Sequence, residues 1–229
     1  MPHTEKVSGQ IMSIKISLYD FFAYTIPGGF YLFTIAYACS VFGLITLDFQ
    51  ALSNLSIIQV LLIAAPAYMA GLLIDRIAAV WYRLFKPKNL PQVVLDEFQA
   101  RYTDFEFKFQ GRDWPILIAY LRRETIDPTP EIDRFNVTHI MLKNIGFNFI
   151  ILAVIEAIQF TRTNFLFWHL ISCLALVVFS VMAGRQAARF NKWVYTSNYE
   201  AIIARSLEQT DLLMRKPKTV QTSSESGVT

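Results

Sequence analysis

The chain has 229 residues, of which 54% are hydrophobic and 17% are charged, and its formal net charge is +3. Soluble domains of this length are usually less apolar and more charged, so the composition predicts an integral membrane protein. The small net charge gives no argument for nucleic-acid binding, and we expect none. The two cysteines, Cys39 and Cys173, lie in apolar runs, where we expect small hydrophobic residues rather than a disulfide or metal ligands.

Four apolar runs are long enough to cross a bilayer as helices, at about 20 residues each. The sequence therefore predicts an all-α integral membrane protein with four transmembrane helices and a small, mainly helical cytoplasmic domain. The predicted segments are an N-terminal cytoplasmic segment (1–20), transmembrane helices 1 and 2 (21–82), a cytoplasmic helical insert (83–143), a transmembrane hairpin (144–184), cytoplasmic C-terminal helices (185–215) and a disordered tail (216–229).

The first two spans contain residues that bend helices or let them pack closely. Pro27, Gly28 and Gly29 lie near the start of the first span, where we expect the helix to bend or begin. In the second span, Pro66 is a candidate kink. Ala67 and Gly71 form a small-xxx-small pattern that favours close approach of another helix.

The distribution of basic residues predicts the orientation. Of the 21 Lys and Arg residues, the two proposed outer loops, 48–54 and 161–164, hold only Arg162. Cytoplasmic loops of membrane proteins carry the excess of Lys and Arg. We therefore expect a multi-pass protein of the cell inner membrane with both termini and the middle region in the cytoplasm.

The cytoplasmic part shows several local signals. Residues 104–110 alternate Phe with polar residues, which predicts a short strand or an extended edge. Asp113 is a candidate N-cap for a helix that Trp114-Pro115 opens, and Pro130 is a candidate first residue of a helix that continues into the third span.

A capping box, Ser197 to Glu200, predicts the start of a separate C-terminal helix. An apolar stripe on that helix requires burial against the middle region, a copy of itself, or a partner. We interpret the stripe as a partner or oligomer face; its residues are Tyr199, Ile202, Ile203, Leu207 and Leu213.

Two ionisable residues stand inside the hairpin. Glu156 and His169 are each five residues from the nearer edge of the turn Thr161–Asn164, so antiparallel helices would place them at about the same depth. Ionisable side chains within spans are costly and usually face a protein interior or water. The pair is interpreted as a hydrogen-bonded latch of the hairpin. The alternatives are a proton- or voltage-responsive pair, because imidazole titrates near neutral pH, or independent exposure near the outer interface.

The other polar residues of the spans give weaker signals. Asp75-Arg76, at the inner edge of the second span, is interpreted as a solvated interfacial pair. Tyr31 and Thr34 are the best candidates for a polar lining, and only within an oligomer.

The chain carries no P-loop, zincin, nucleophile-elbow, paired C-x-x-C or G-x-G-x-x-G motif. We therefore expect a protein that is not an enzyme and has no cofactor or metal. Arg134 and His139 fit a loose Arg-x4-His spacing used by HEPN ribonucleases, which leaves a membrane-tethered nuclease as a further alternative.

The N-terminal third of the chain supports a resemblance. The segments SLYDFFAYTIPGGFYL and APAYMAGLLIDRI contain Asp20, Pro27, Gly28, Gly71 and Asp75. With these residues the chain resembles small bacterial membrane proteins with an early Asp…Pro-Gly span and a second span that ends in Gly-x-x-x-Asp. It is similar in layout to membrane components of anti-phage systems such as the four-helix subunit of Kiwa, which works with a cytosolic DNA-binding subunit. The resemblance implies a defence-associated membrane subunit and carries over no catalytic residue.

Two functional hypotheses follow from the sequence. The first is a non-enzymatic inner-membrane subunit that contacts lipid, forms a homo-oligomer and anchors or regulates a cytosolic protein partner, and that senses membrane perturbation in anti-phage defence. The second is a conditional pore-forming or membrane-disrupting effector.

Overall fold

The computed structural model describes residues 18–46, 56–103, 105–107, 109–123, 130–163, 167–206 and 213–215. In chain order the elements are α1 (Leu18–Val41), α2 (Ile57–Tyr82), α3 (Leu90–Arg101), β1 (Phe105–Phe107), a 3₁₀ turn (Gly111–Asp113), α4 (Trp114–Arg123), α5 (Pro130–Arg162), α6 (Phe167–Ser206) and β2 (Leu213–Arg215). The loop predicted at 48–54 and the tail predicted at 216–229 lie outside the described residues.

Four helices, α1, α2, α5 and α6, are long and apolar enough to cross a membrane. Their outward surfaces carry large hydrophobic side chains: Leu61 and Leu73 on α2 and Trp168 on α6 are about 70% exposed. Such a surface is stable only where lipid or protein covers it. The structure thus confirms the predicted multi-pass membrane protein with four spans.

Helices α1 and α2 cross with their backbones in close contact. A Cβ atom on Gly28 would overlap the carbonyl of Ala67, and one on Gly71 would overlap the carbonyl of Tyr24. Close approach of another helix is what the Ala67 and Gly71 pattern predicts, and Gly28 is its counterpart on α1, whereas a Cβ on Gly29 would meet open space.

The two prolines of these helices interrupt neither element. Helix α1 continues through Pro27 and does not begin there, and α2 continues through Pro66. Pro27 is fully buried within the bundle. Proline removes one backbone donor, and packing against neighbouring helices lets α1 continue through this position.

Helices α5 and α6 are longer than their transmembrane parts. Helix α5 begins at Pro130 and runs unbroken to Arg162, as the sequence predicts. Helix α6 has 40 residues, which corresponds to about 60 Å of axis at 1.5 Å per residue. The hydrocarbon layer is about 30 Å thick, so a large part of α6 extends beyond it.

The prediction of a separate helix that starts at the Ser197 capping box is wrong. Helix α6 continues through this segment to Ser206. The Thr196 hydroxyl donates to the Lys192 carbonyl, and the Asn198 amide donates to the Val194 carbonyl. Because these polar side chains bond one turn back along the same helix, they do not cap a new one.

A helical unit, which we define as α3, the 3₁₀ turn, α4 and residues 190–204 of α6, lies at the end of the bundle away from the hairpin turn. Its core is a cluster of buried apolar and aromatic side chains. The members are Leu90, Val94, Leu95, Phe98, Phe109, Leu117, Tyr199, Ile202 and Ile203. The Tyr199 hydroxyl donates to the Pro91 carbonyl at 3.0 Å, and Lys192 pairs with Glu97 at 2.6 Å.

The prediction that this stripe is a partner or oligomer face is wrong. Tyr199 and Ile202 are each 1% exposed because α3 and the 3₁₀ region of the same chain cover them, and Ile203 is buried in the same cluster. Leu213 is not helical at all, since it belongs to β2, and Leu207 lies outside the described residues.

The two short strands form an antiparallel ribbon in which Phe105 pairs with Arg215 and Phe107 with Leu213. The strand predicted within 104–110 is confirmed. Its partner was missed because three residues, Leu213 to Arg215, give no recognisable alternation.

The glycine at position 28 should be far less tolerant of substitution than its neighbour. Gly28→Ala places a methyl group on the Ala67 carbonyl, and overpacking of this kind costs about 1–3 kcal/mol or more. Gly29→Ala is the matched control, since it adds a methyl group in open space and removes the roughly 1 kcal/mol penalty of a helical glycine. Thermal unfolding in detergent, followed by circular dichroism, should rank the variants in that order. Equal midpoints would contradict the close crossing.

The end of α6 should depend on the helical unit for its stability. Ile202→Ala removes a fully buried side chain, for which the expected loss is about 2–5 kcal/mol. The variant should be cleaved faster by protease within α3 and α4. Glu200→Ala, at an exposed position in the same turn of α6, is the control. An Ile202→Ala variant as resistant as the control would show that the stripe is not buried within the chain.

Candidate functional site

Glu156 and His169 meet across the hairpin. Helix α5 presents Glu156 and α6 presents His169, and the His169 Nδ1 atom lies 2.7 Å from the Glu156 Oε2 atom. Glu156 is 9% exposed. The symmetric placement of the two residues about the turn therefore brings them together, as the sequence predicts for a hydrogen-bonded pair.

A third residue, Tyr37 of α1, completes this arrangement, which we call the hairpin cluster. Its hydroxyl donates to the second carboxylate oxygen of Glu156, Oε1, at 2.6 Å. Both oxygens of the carboxylate are thus engaged, one from α1 and one from α6. Tyr37 lies 119 residues before Glu156 in the chain, and a lone tyrosine in an apolar run gives no sequence signal for such a contact.

A second polar group, the Asp75 cluster, lies nearer the helical unit and consists of Asp75 on α2 with Lys143 and Asn144 on α5. Lys143 Nζ is 2.8 Å from Asp75 Oδ1, and the Asn144 amide donates to the same oxygen at 3.1 Å. The Lys143 side chain is 8% exposed. The prediction of a solvated Asp75-Arg76 pair is therefore wrong for Asp75, because Lys143 and Asn144 from another helix bind its carboxylate.

Tyr31 and Thr34 of α1 face the interior of the bundle. Each is 2% exposed. The Tyr31 hydroxyl donates to the Asn144 carbonyl at 2.8 Å, and the Thr34 hydroxyl donates to the Phe30 carbonyl. Their predicted role as a lining between subunits is therefore wrong, because the chain's own helices cover both side chains.

These residues form one polar seam between α1 and α5. The seam consists of Tyr31, Thr34 and Tyr37 on α1 and Asn144, Asn148 and Glu156 on α5. Tyr31 contacts Asn144 and Tyr37 contacts Glu156, so the two helices run in the same direction. Thr34 and Asn148 lie between these contacts in sequence, and both are buried.

The middle of the seam has unused hydrogen-bonding capacity. Asn148 is fully buried, and neither its Nδ2 nor its Oδ1 atom has a hydrogen-bond partner among the described residues. The same holds for the Oδ1 atom of Asn144. Buried polar atoms nearly always have partners, so these amides are suited to hold a small polar species such as water.

Within the described ranges, no group of three His, Cys, Asp or Glu residues could hold a metal ion. The seam instead offers hydroxyls and amides between two groups of ionisable side chains. Such an arrangement can order water and pass hydrogen bonds along its length.

The residues of the nuclease alternative have separate surroundings. His139 Nδ1 is 2.9 Å from the Ala187 carbonyl, and its ring lies edge-on to Tyr82. Arg134 is exposed, and its carbonyl accepts from Thr138. Five residues apart on a helix, the two side chains point about 140° apart, so this geometry gives the nuclease hypothesis no support.

The hairpin cluster should show energetic coupling in a double-mutant cycle. The variants are Glu156→Gln, His169→Gln and their combination, with unfolding measured in the same detergent. Side chains in one hydrogen-bond network couple by about 0.5–3 kcal/mol. Glu156→Gln with Ser172→Ala, an exposed residue of α6, is the control cycle and should be additive. Additivity of the first cycle would show that the 2.7 Å contact contributes no stability.

No family model, curated protein or solved structure matches this chain.

Proposed function

We propose that the protein is a non-enzymatic subunit of the inner membrane that oligomerises and anchors or regulates a cytosolic protein partner. The proposal places both termini and the helical unit in the cytoplasm and the hairpin cluster toward the outer leaflet. In the setting that the resemblance implies, the subunit senses membrane perturbation during anti-phage defence.

The continuity of α5 and α6 is the observation that carries the proposal. Each helix runs without a break from the hairpin cluster toward the helical unit, and α6 supplies Tyr199 and Ile202 to the core of that unit. A change in packing near Glu156 and His169 therefore has a direct mechanical connection to the surface that meets the cytosol. This geometry suits a regulator better than a passive anchor.

The charge distribution supports the orientation. Lys86 and Lys88 follow α2, and Arg185 and Arg189 lie on α6 on the approach to the helical unit. At the hairpin end, the basic residue of the proposed loop is Arg162, whose guanidinium lies 4.7 Å from the centre of the Phe42 ring. An excess of basic residues beside one end of the spans favours a cytoplasmic location for that end.

Self-association is supported by the surface of α2. Four of its 26 residues, Ala67, Gly71, Ala78 and Tyr82, are buried in the chain. The remaining surface is mostly apolar and includes Ile57, Leu61 and Leu73, each at least 66% exposed. A second copy of the chain is the occupant that we propose for part of this face, with lipid on the rest.

The test is purification of the tagged full-length chain from its native host in mild detergent, followed by mass measurement in nanodiscs. The expected result is a multimer together with a stoichiometric soluble protein. A lone monomer would contradict the proposal.

The regulatory part of the proposal has its own comparison. His169→Leu, which removes the α6 side of the hairpin cluster, should change the amount of partner that co-purifies by about fivefold or more, a coupling of roughly 1 kcal/mol between sites. Ser172→Ala, on the exposed face of α6, should leave the partner level unchanged. Partner levels that respond to neither variant would show that the hairpin does not communicate with the partner site.

A further inference from the structure

The polar seam spans much of the bundle. Asn144 and Glu156 are twelve residues apart on α5, which corresponds to about 18 Å along the helix axis. The hydrocarbon layer is about 30 Å thick. The Asp75 cluster lies at one end of the seam and the hairpin cluster at the other.

The middle of the seam is built in a way that a purely structural contact does not require. Leucine at position 148 would fill the space without a buried amide, whereas Asn148 brings a donor and an acceptor into an apolar bundle at a cost. Asn144 and Asn148 are four residues apart on one helix, so their side chains are neighbours. A water molecule between them can accept from Asn148 Nδ2 and donate to Asn144 Oδ1.

We propose that the seam is a proton pathway, in which internal water held by Asn144 and Asn148 connects the hairpin cluster with the Asp75 cluster. The transferred species is the proton alone.

The transfer proceeds by exchange of hydrogen bonds. A proton that His169 receives on its ring passes to the Glu156 carboxylate, where one N–H bond breaks and one O–H bond forms. Glu156 then releases it toward the Tyr37 hydroxyl, which accepts one proton and gives up its own. Thr34 and the water at Asn148 continue the same exchange, and the proton leaves beside Asp75 and Lys143. Each group regains its starting number of protons, so no oxidant, reductant or cofactor is consumed.

The charges around the seam favour a proton over a metal cation. Asp75 is paired with Lys143, and the two Glu156 carboxylate oxygens contact the Tyr37 hydroxyl and His169 Nδ1, so neither carboxylate offers a free anionic ligand. Arg162, near the hairpin end, carries a further positive charge, which repels a hydrated cation. A proton can instead enter by exchange on the His169 ring.

The test uses the full-length chain in sealed lipid vesicles that contain a pH-sensitive dye. A potassium gradient with valinomycin sets the voltage, and the internal pH is followed. The wild-type chain should acidify the vesicles faster than protein-free vesicles. Asn148→Leu and Glu156→Gln should each lower the rate by about tenfold or more, a change of about 1.4 kcal/mol in barrier height.

Ser180→Ala is the matched control. Ser180 is also a fully buried polar residue of the bundle, but it donates to the Gly146 carbonyl from α6 and lies outside the seam. This variant should keep the wild-type rate. Asn148→Ser, which keeps a hydrogen-bonding side chain at the same position, should recover part of the flux that Asn148→Leu loses, and this recovery excludes misfolding as the cause of the loss.

Three results would overturn the inference. These are a wild-type rate equal to that of protein-free vesicles, an Asn148→Leu rate equal to wild type, or a sodium or dye flux that matches the proton flux. The last result would assign the bundle to a wide pore. The inference does not rest on the proposed cytosolic partner, because purified vesicles contain none, so either proposal can fail while the other stands.

Discussion

Helix α5 holds the bundle together because its polar groups find partners on each of the other three long helices. The Asn144 carbonyl accepts a hydrogen bond from the Tyr31 hydroxyl on α1, and the Asn144 side-chain amide donates to Asp75 on α2. The Glu156 carboxylate contacts the His169 ring on α6. The backbone of α5 also takes part, since the Gly146 carbonyl accepts a hydrogen bond from the Ser180 hydroxyl on α6. In lipid an unpaired polar group cannot form a hydrogen bond with water, so each of these contacts specifies one arrangement of the helices. Apolar packing alone would leave their rotation about their axes less defined.

This constraint explains why the membrane part and the helical unit are built differently. In the bundle, many large apolar side chains point outward, and several polar ones are buried. In the unit, nine apolar and aromatic residues form an ordinary buried core. Helix α6 belongs to both, because it is apolar all round near Val177 and carries its buried stripe at Tyr199 and Ile202. Along α6 the sequence changes from apolar on all sides to apolar on one side, while the backbone hydrogen bonds of the helix continue.

The sequence predicts elements well where the signal is local. Four apolar runs, Pro130 at a helix start and the alternation near Phe105 each depend on a few neighbouring residues, and the structure contains all of these elements. The depth of Glu156 and His169 was also accessible, because a short turn fixes the register of two antiparallel helices. The local rule failed at Ser197, where a capping pattern competes with helix continuation and the burial of Tyr199 decides the outcome.

Contacts between distant segments could not be read from the pattern. Asp75 stands beside Arg76 in the sequence, yet its partner is Lys143 on another helix. Tyr37 and Asn148 look like unremarkable members of apolar runs, and their importance depends on which faces of α1 and α5 meet. Rotation of a transmembrane helix is set by its neighbours rather than by its own composition, so single-sequence reasoning identifies the spans and misses the seam.

The proposed regulator and the proposed proton pathway both depend on Glu156. Its carboxylate accepts from Tyr37 on α1 and contacts His169 on α6, so this side chain joins three helices at the hairpin end. Charge-assisted hydrogen bonds are stronger than neutral ones, so the proposed passage of a proton through Glu156 would weaken the contact between α5 and α6 while the carboxyl group is protonated. Because α6 carries Tyr199 and Ile202 in the core of the helical unit, a change at Glu156 acts on the element that positions the unit. A proton pathway and a regulated cytosolic surface thus require the same long helices, and one carboxylate connects them.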